Sequence, residues 1–131
     1  MLSRRVIVLI LFISLPIFSY SGTNSQVLKV FFRSDCPPCL QEIKIIPEIA
    51  GEHPDLMITV VTLDSKHISS RFPPNVAVVA GDGKDREIMT GAGDTAFALP
   101  YSVFIRGDGT VCSKHYGILG TDLVKKWVRR C

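Results

Sequence analysis

Residues 26–39 read QVLKVFFRSDCPPC: an apolar, β-branched and aromatic run, a short polar step, then two cysteines with two prolines between them. Gln26–Arg33 has the composition of a largely buried strand. Asp35 and Cys36 then open a helix, whose apolar positions Leu40, Ile43, Ile46 and Ala50 recur at three- and four-residue spacing and predict one buried face. Pro38 fits the first turn, where a missing N–H has no intrahelical partner to lose. Pro47 deletes the bond to the carbonyl of Ile43 and predicts a kink. Gly51 and Pro54 predict the helix end.

Leu56–Leu63 is a second continuous apolar run. Two such strands joined by a helix make a βαβ unit, so the strands should be parallel with a right-handed crossover. Asn75–Ala80 suggests a short extra strand and Lys84–Thr90 a short helix. Tyr101–Ile105 and Thr110–Tyr116 flank Arg106-Gly107-Asp108-Gly109, a strong hairpin signal. Thr121 is placed to cap a last helix with the stripe Leu123, Val124, Trp127 and Val128, and with Lys125, Lys126, Arg129 and Arg130 off it. That basic run reads as a solvated face complementing the helix C-terminus. The order is β-α-β, a variable middle, then β-β-α.

The chain has 131 residues, 47% of them apolar, with a formal charge of +3. One ordinary globular domain fits, and charge gives no case for binding nucleic acid. At the N-terminus, Arg4 and Arg5 precede the apolar run Val6–Ile13, which continues through Leu15 to Phe18. Ser19 and Ser21 are small residues at the places a signal peptidase needs. The stretch is short for a bilayer core of roughly 30 Å, so residues 1–21 predict a cleaved secretory signal, and an anchor if cleavage fails. No cysteine lies near the cut, which argues against a lipid anchor. Residues 22–131 would form the mature domain, with a charge of +1. Export places the four cysteines where disulfides persist.

Cys36 and Cys39 can close into a small ring and so cycle between dithiol and disulfide. Cys36 sits where free N–H groups and the helix dipole favour a thiolate, with a pKa between roughly 3.5 and 7.5 in such motifs. Asp35 opposes this by like charge. Cys39, one turn inside, should be the more buried resolving thiol. A lone CxxC also fits half of a zinc site or an inert bridge. However, no second CxxC exists, Cys112, Cys131, His53, His67 and His115 lack paired spacing, and a four-residue loop stabilises little. Haem attachment would need His at position 40, which is Leu. Redox work is the favoured use, and a copper or zinc module on the same cysteines is the alternative.

VLKVFFRSDCPPC and LPYSVFIRGDGTV together resemble the thioredoxin superfamily, and within it the exported TlpA-like thiol–disulfide oxidoreductases, several of which serve cytochrome c maturation. The likeness spans most of residues 26–131. It implies an α/β thioredoxin fold: a β-α-β unit plus a β-β-α unit, a central mixed sheet flanked by helices, and a central insertion. By this resemblance Pro100 should be a cis-proline beside the CxxC. The backbone of Leu99 would pair with an extended substrate segment, and Glu42 would match an acidic residue that could relay protons; a solvated helix glutamate is the plain alternative. Implied too are a periplasmic monomer with no bound cofactor, cysteine-containing exported proteins as substrates, and a membrane-embedded electron donor. Several positions depart from the pattern: Ser34-Asp35 replaces a common tryptophan, Val30 a buried acid, and Pro47 falls three residues late. Gly81, Gly83, Gly91 and Gly93 make no phosphate-binding fingerprint. Cys112 opens the second hairpin strand and Cys131 closes a helix running back along it, roughly 15 Å each way, so their ends should meet in a structural disulfide. A buried Cys112 and a frayed terminal thiol are the alternative.

Overall fold

The computed structural model describes residues 25–64, 68, 71–90 and 99–131, without the side chains of residues 86 and 88–90. The expected signal at 1–21, Gly91 and Gly93 lie outside the described residues. Five strands and three helices follow in order: β1 (Val27–Phe32), α1 (Pro37–Glu52), β2 (Met57–Thr62), β3 (Val76–Ala80), α2 (Gly83–Thr90), β4 (Tyr101–Ile105), β5 (Val111–Tyr116) and α3 (Thr121–Arg130). The strands form one sheet in the order β3-β2-β1-β4-β5. β1, β2 and β3 are parallel, as the βαβ pattern predicts, while β4 and β5 run antiparallel.

Strand alternation sorts the apolar side chains onto two faces. Leu28, Val30, Ile58, Val60 and Phe104 point to one face and pack with Ile43, Ile46 and Ile49 of α1 and with Val124 and Trp127 of α3. Phe31, Val61, Tyr101 and Val103 form a smaller cluster on the other. On that second face Lys29 Nζ reaches Asp85 Oδ1 of α2 at 2.9 Å.

Three expectations change. Leu40 is 47% exposed and takes no part in the buried face of α1. The face consists of Cys39, Glu42, Ile43, Ile46, Ile49 and Ala50. At 3.6 residues per turn it centres near Ile46, and Leu40 lies about 120° away from that line. Cys39 and the polar Glu42 lie within about 40° of it and complete the face instead. Thr121 is the first residue of α3 and not its cap: Gly120 holds the cap position in extended backbone, with no side-chain cap. α1 continues through Gly51 to Glu52, with His53 at its C-cap. Asn75 secures that end, its side-chain amide donating to the carbonyls of Ala50, His53 and Leu56 at 2.9–3.1 Å.

Cys112 and Cys131 are joined by a disulfide with Cα atoms 5.9 Å apart. A one-residue slip in the β4–β5 ladder brings this about. Phe104 pairs with Ser113 but Ile105 with Val111, so Cys112 is the extra residue of a β-bulge. A bulge breaks strict alternation and turns Cys112 toward the α3 face, where it packs against the main core. Closing a loop of this length contributes about 3 kcal/mol in the chain-entropy picture.

Candidate active site

The turn between β1 and α1 is tied down from two sides. The backbone N–H of Ser34 donates to Asp64 Oδ2 at 2.9 Å, and the Ser34 hydroxyl donates to the same oxygen. Because Asp64 follows β2, the end of one parallel strand fixes the loop that leaves the other. Cys36 then takes the N-cap position in extended backbone. Positions 37 and 38 are prolines, so the first helical N–H is that of Cys39. It points at Cys36 Sγ, 3.3 Å away. The next, from Leu40, donates to the Cys36 carbonyl at 3.1 Å. The two prolines thus remove competing donors and leave the helix N-terminus aimed at one sulfur.

Cys36 and Cys39 are disulfide-bonded, with Cα atoms 5.2 Å apart. Cys39 is fully buried and Cys36 only partly so, the asymmetry expected of an attacking and a resolving thiol. The like charge of Asp35 is offset: both its oxygens accept from the Arg33 guanidinium, at 2.9 and 3.0 Å. The hydrogen bond and charge of Asp35 push Arg33 above its usual range. Both partners are exposed, so the pair adds little stability.

Glu42 lies one turn beyond Cys39 on the same face of α1. It is not a solvated glutamate: it is 1% exposed, and its Oε1 accepts from the backbone N–H of Leu119 at 2.8 Å. Burial pushes the carboxyl up from its ordinary 4.5 to about 7, against the smaller lowering effect of that N–H. An acid held this way keeps its proton more firmly folded than unfolded. Its ionisation therefore costs stability as pH climbs from 4.5 through about 7, and the cost vanishes below 4.5. Glu42→Gln should leave stability nearly unchanged at about pH 4 and raise it at about pH 8 by on the order of 3 kcal/mol. Urea melts of both proteins across that range check this; parallel curves would contradict it.

The Leu99–Pro100 peptide is cis and precedes β4. Tyr101 pairs with Phe31, which sets Pro100 beside the end of β1, where the loop to Cys36 leaves the sheet. Leu99 and Cys36 both pack against the main core. The dithiol, Glu42 and the Leu99–Pro100 corner thus gather at one end of the sheet. Cys112 and Cys131 sit toward the other.

Four residues that hold the site escape a motif reading of the sequence: Arg33, Asp64, Gly117 and Leu119. Gly117 donates its N–H to the Pro100 carbonyl at 2.8 Å, and a charge-pair reading of Arg33-Ser34-Asp35 could have found the first of the four.

No protein-family model and no curated protein matches the chain. Solved structures do match it. StoA from Bacillus subtilis is 20% identical, with a TM-score of 0.58 over 82% of this chain and 85% of that one. The exposed lipoprotein thioredoxin Etrx1 from Streptococcus pneumoniae is 19% identical, with a TM-score of 0.61 over 82% and 86%. A thioredoxin-family thiol:disulfide interchange protein from Chlorobium tepidum is 16% identical, with a TM-score of 0.64 over 82% and 79%. With the mixed five-stranded sheet, these likenesses establish the thioredoxin fold. Among the described residues no helix is long and apolar enough to cross a membrane.

Proposed function

We propose that this chain is an exported thiol–disulfide oxidoreductase that reduces disulfides in other exported proteins. The observation that carries the reading is the Cys36–Cys39 pair at the N-cap of α1, with the Cys39 N–H on Cys36 Sγ. In the reduced protein that donor and the helix dipole stabilise a Cys36 thiolate. The thiolate attacks one sulfur of a substrate disulfide and expels the other as a thiolate, giving a mixed disulfide. Cys39 gives up its proton, attacks Cys36 Sγ and releases the second substrate thiolate. Two electrons have then passed to the substrate, and the protein holds the disulfide seen here. Glu42 is the group placed to take the Cys39 proton, because an acid poised near neutrality can both accept and return one. The backbone at Leu99–Pro100 would hold the substrate segment in extended form. Cysteine-bearing exported proteins, including those of cytochrome c maturation, are the substrate class. A membrane-embedded dithiol donor restores the reduced pair.

Export is supported by residues 1–21, and the reducing direction by resemblance to TlpA-like proteins. Equilibration in glutathione buffers, with metal analysis of the purified protein, tests the reading. A potential near roughly −270 mV and no metal support a reductant; one near roughly −120 mV reverses the direction. Stoichiometric copper or zinc, lost on Cys36→Ser, would instead make the chain a metal carrier. Among the described residues no three His, Cys, Asp or Glu side chains converge as a metal site.

A further inference from the structure

The connector from β5 to α3 is tied both to the Pro100 corner and to Glu42 of α1. Gly117 donates its N–H to the Pro100 carbonyl at 2.8 Å. Two residues later, Leu119 donates its N–H to Glu42 Oε1 at 2.8 Å, across 77 residues of sequence. Between them, the Ile118 carbonyl lies 3.3 Å from His115 Nε2. The Leu119 side chain is fully buried in the main core, which anchors the segment beneath these contacts. Gly120 then holds the cap position of α3.

We infer that residues 117–120 are a positioning strap, which holds the Pro100 corner and the Glu42 carboxylate in a common frame on either side of Cys36 and Cys39. Gly117 is its hinge. Its φ of +97° is a conformation that residues with a β-carbon rarely adopt. A β-carbon there would meet only His115 Nε2, at 4.0 Å. Any effect of substitution therefore comes from the backbone and not from a clash. A strained residue 117 must rotate its peptide, and both ties, one at the residue and one two residues on, are displaced with it.

The inference rests on the proposed redox role of Glu42, but it can be read without turnover. Tyr101 and Tyr116, which adjoin Pro100 and Gly117, His115, against the strap, and in the reduced protein Cys39, one turn earlier on α1, are titratable groups on the segments that meet here. Among the described residues no charged side chain contributes to the Glu42 shift: burial raises it and the Leu119 N–H lowers it. Loss of that N–H should move the Glu42 midpoint up by about one pH unit.

The test compares Gly117→Ala with Gly109→Ala in the full chain. Gly109 also has a positive φ, +87°, but lies at the β4–β5 hairpin tip. Carbon-13 NMR follows the Glu42 carboxyl through a pH titration, and amide exchange follows Leu119. In Gly117→Ala the midpoint should rise, and Leu119 protection should fall at least about tenfold. In Gly109→Ala both should stay at wild-type values despite the same kind of strain. Gly117→Asn, which tolerates positive φ better, should restore most of the wild-type titration and serves if the alanine variant does not fold. An unmoved Glu42 midpoint in Gly117→Ala, or an equal shift in both alanine variants, overturns the strap. A wild-type protein without disulfide reductase activity would overturn the proposed function and leave the Glu42 readout intact.

Discussion

Cys36→Ala should lower the rate of insulin disulfide reduction at least about a thousandfold, to the level of reductant alone. The expectation follows from how little else at the site can replace this sulfur. Cys39 is fully buried, so it cannot reach a protein disulfide in its place. The donor aimed at Cys36, the Cys39 N–H, has no second sulfur to serve. Cys39→Ala should behave differently. Cys36 remains partly exposed and still attacks, but nothing resolves the product, so a mixed disulfide accumulates that intact-mass measurement detects as the protein plus its substrate. A Cys36→Ala protein that keeps even a tenth of wild-type activity would remove the pair from the chemistry. The fold, which rests on other residues, would be untouched by that result.

Phe104→Ala is expected to cost about 3–5 kcal/mol, a large part of the 5–15 kcal/mol typical of a domain. Phe104 is fully buried on β4, opposite Leu28 of β1 and Ser113 of β5. Its ring lies 5.7 Å from that of Trp127, tilted by 60°, so it is where α3 meets the sheet. Truncation leaves a cavity beneath a helix that has no side-chain cap at its start. The Cys112–Cys131 bridge limits how far α3 can close over the gap, because it ties the helix end to β5. Urea denaturation should show a lower midpoint with a similar slope. A loss under about 1 kcal/mol would mean that α3 settles freely onto the sheet, contrary to this packing.

Much of the architecture was legible because local and tertiary demands agree. Val27–Phe32 is, Lys29 aside, apolar on both sides, which only a central strand between two layers tolerates, and Arg106–Gly109 carries its own turn chemistry. The Cys36–Cys39 pair was legible for a similar reason: the spacing alone permits the ring. What escaped depends on partners distant in sequence. Glu42 reads equally well as a surface residue until Leu119 is seen to supply its donor. Leu40 fits the core stripe by spacing, but helical spacing does not show which residues centre the stripe. The tie from Ser34 to Asp64 spans 30 residues and follows no motif. The bulge at Cys112 is a matter of ladder register, which composition does not encode, although the meeting of Cys112 and Cys131 followed from element lengths. Residue type points to Thr121 as a cap, whereas the backbone turns one residue earlier, at Gly120.

The β4–β5 hairpin offers a practical handle. β4 begins beside Pro100 and ends at the turn where the Arg106 N–H donates to the Thr110 carbonyl at 2.8 Å. Asp108, Gly109 and Thr110 are exposed, and the length of the strand sets them about 17 Å from the dithiol end. A short peptide spliced in at this tip disturbs little beyond the turn itself. It would let the protein be tethered to an electrode with its sulfurs facing the solution, so that electron exchange is read as a current.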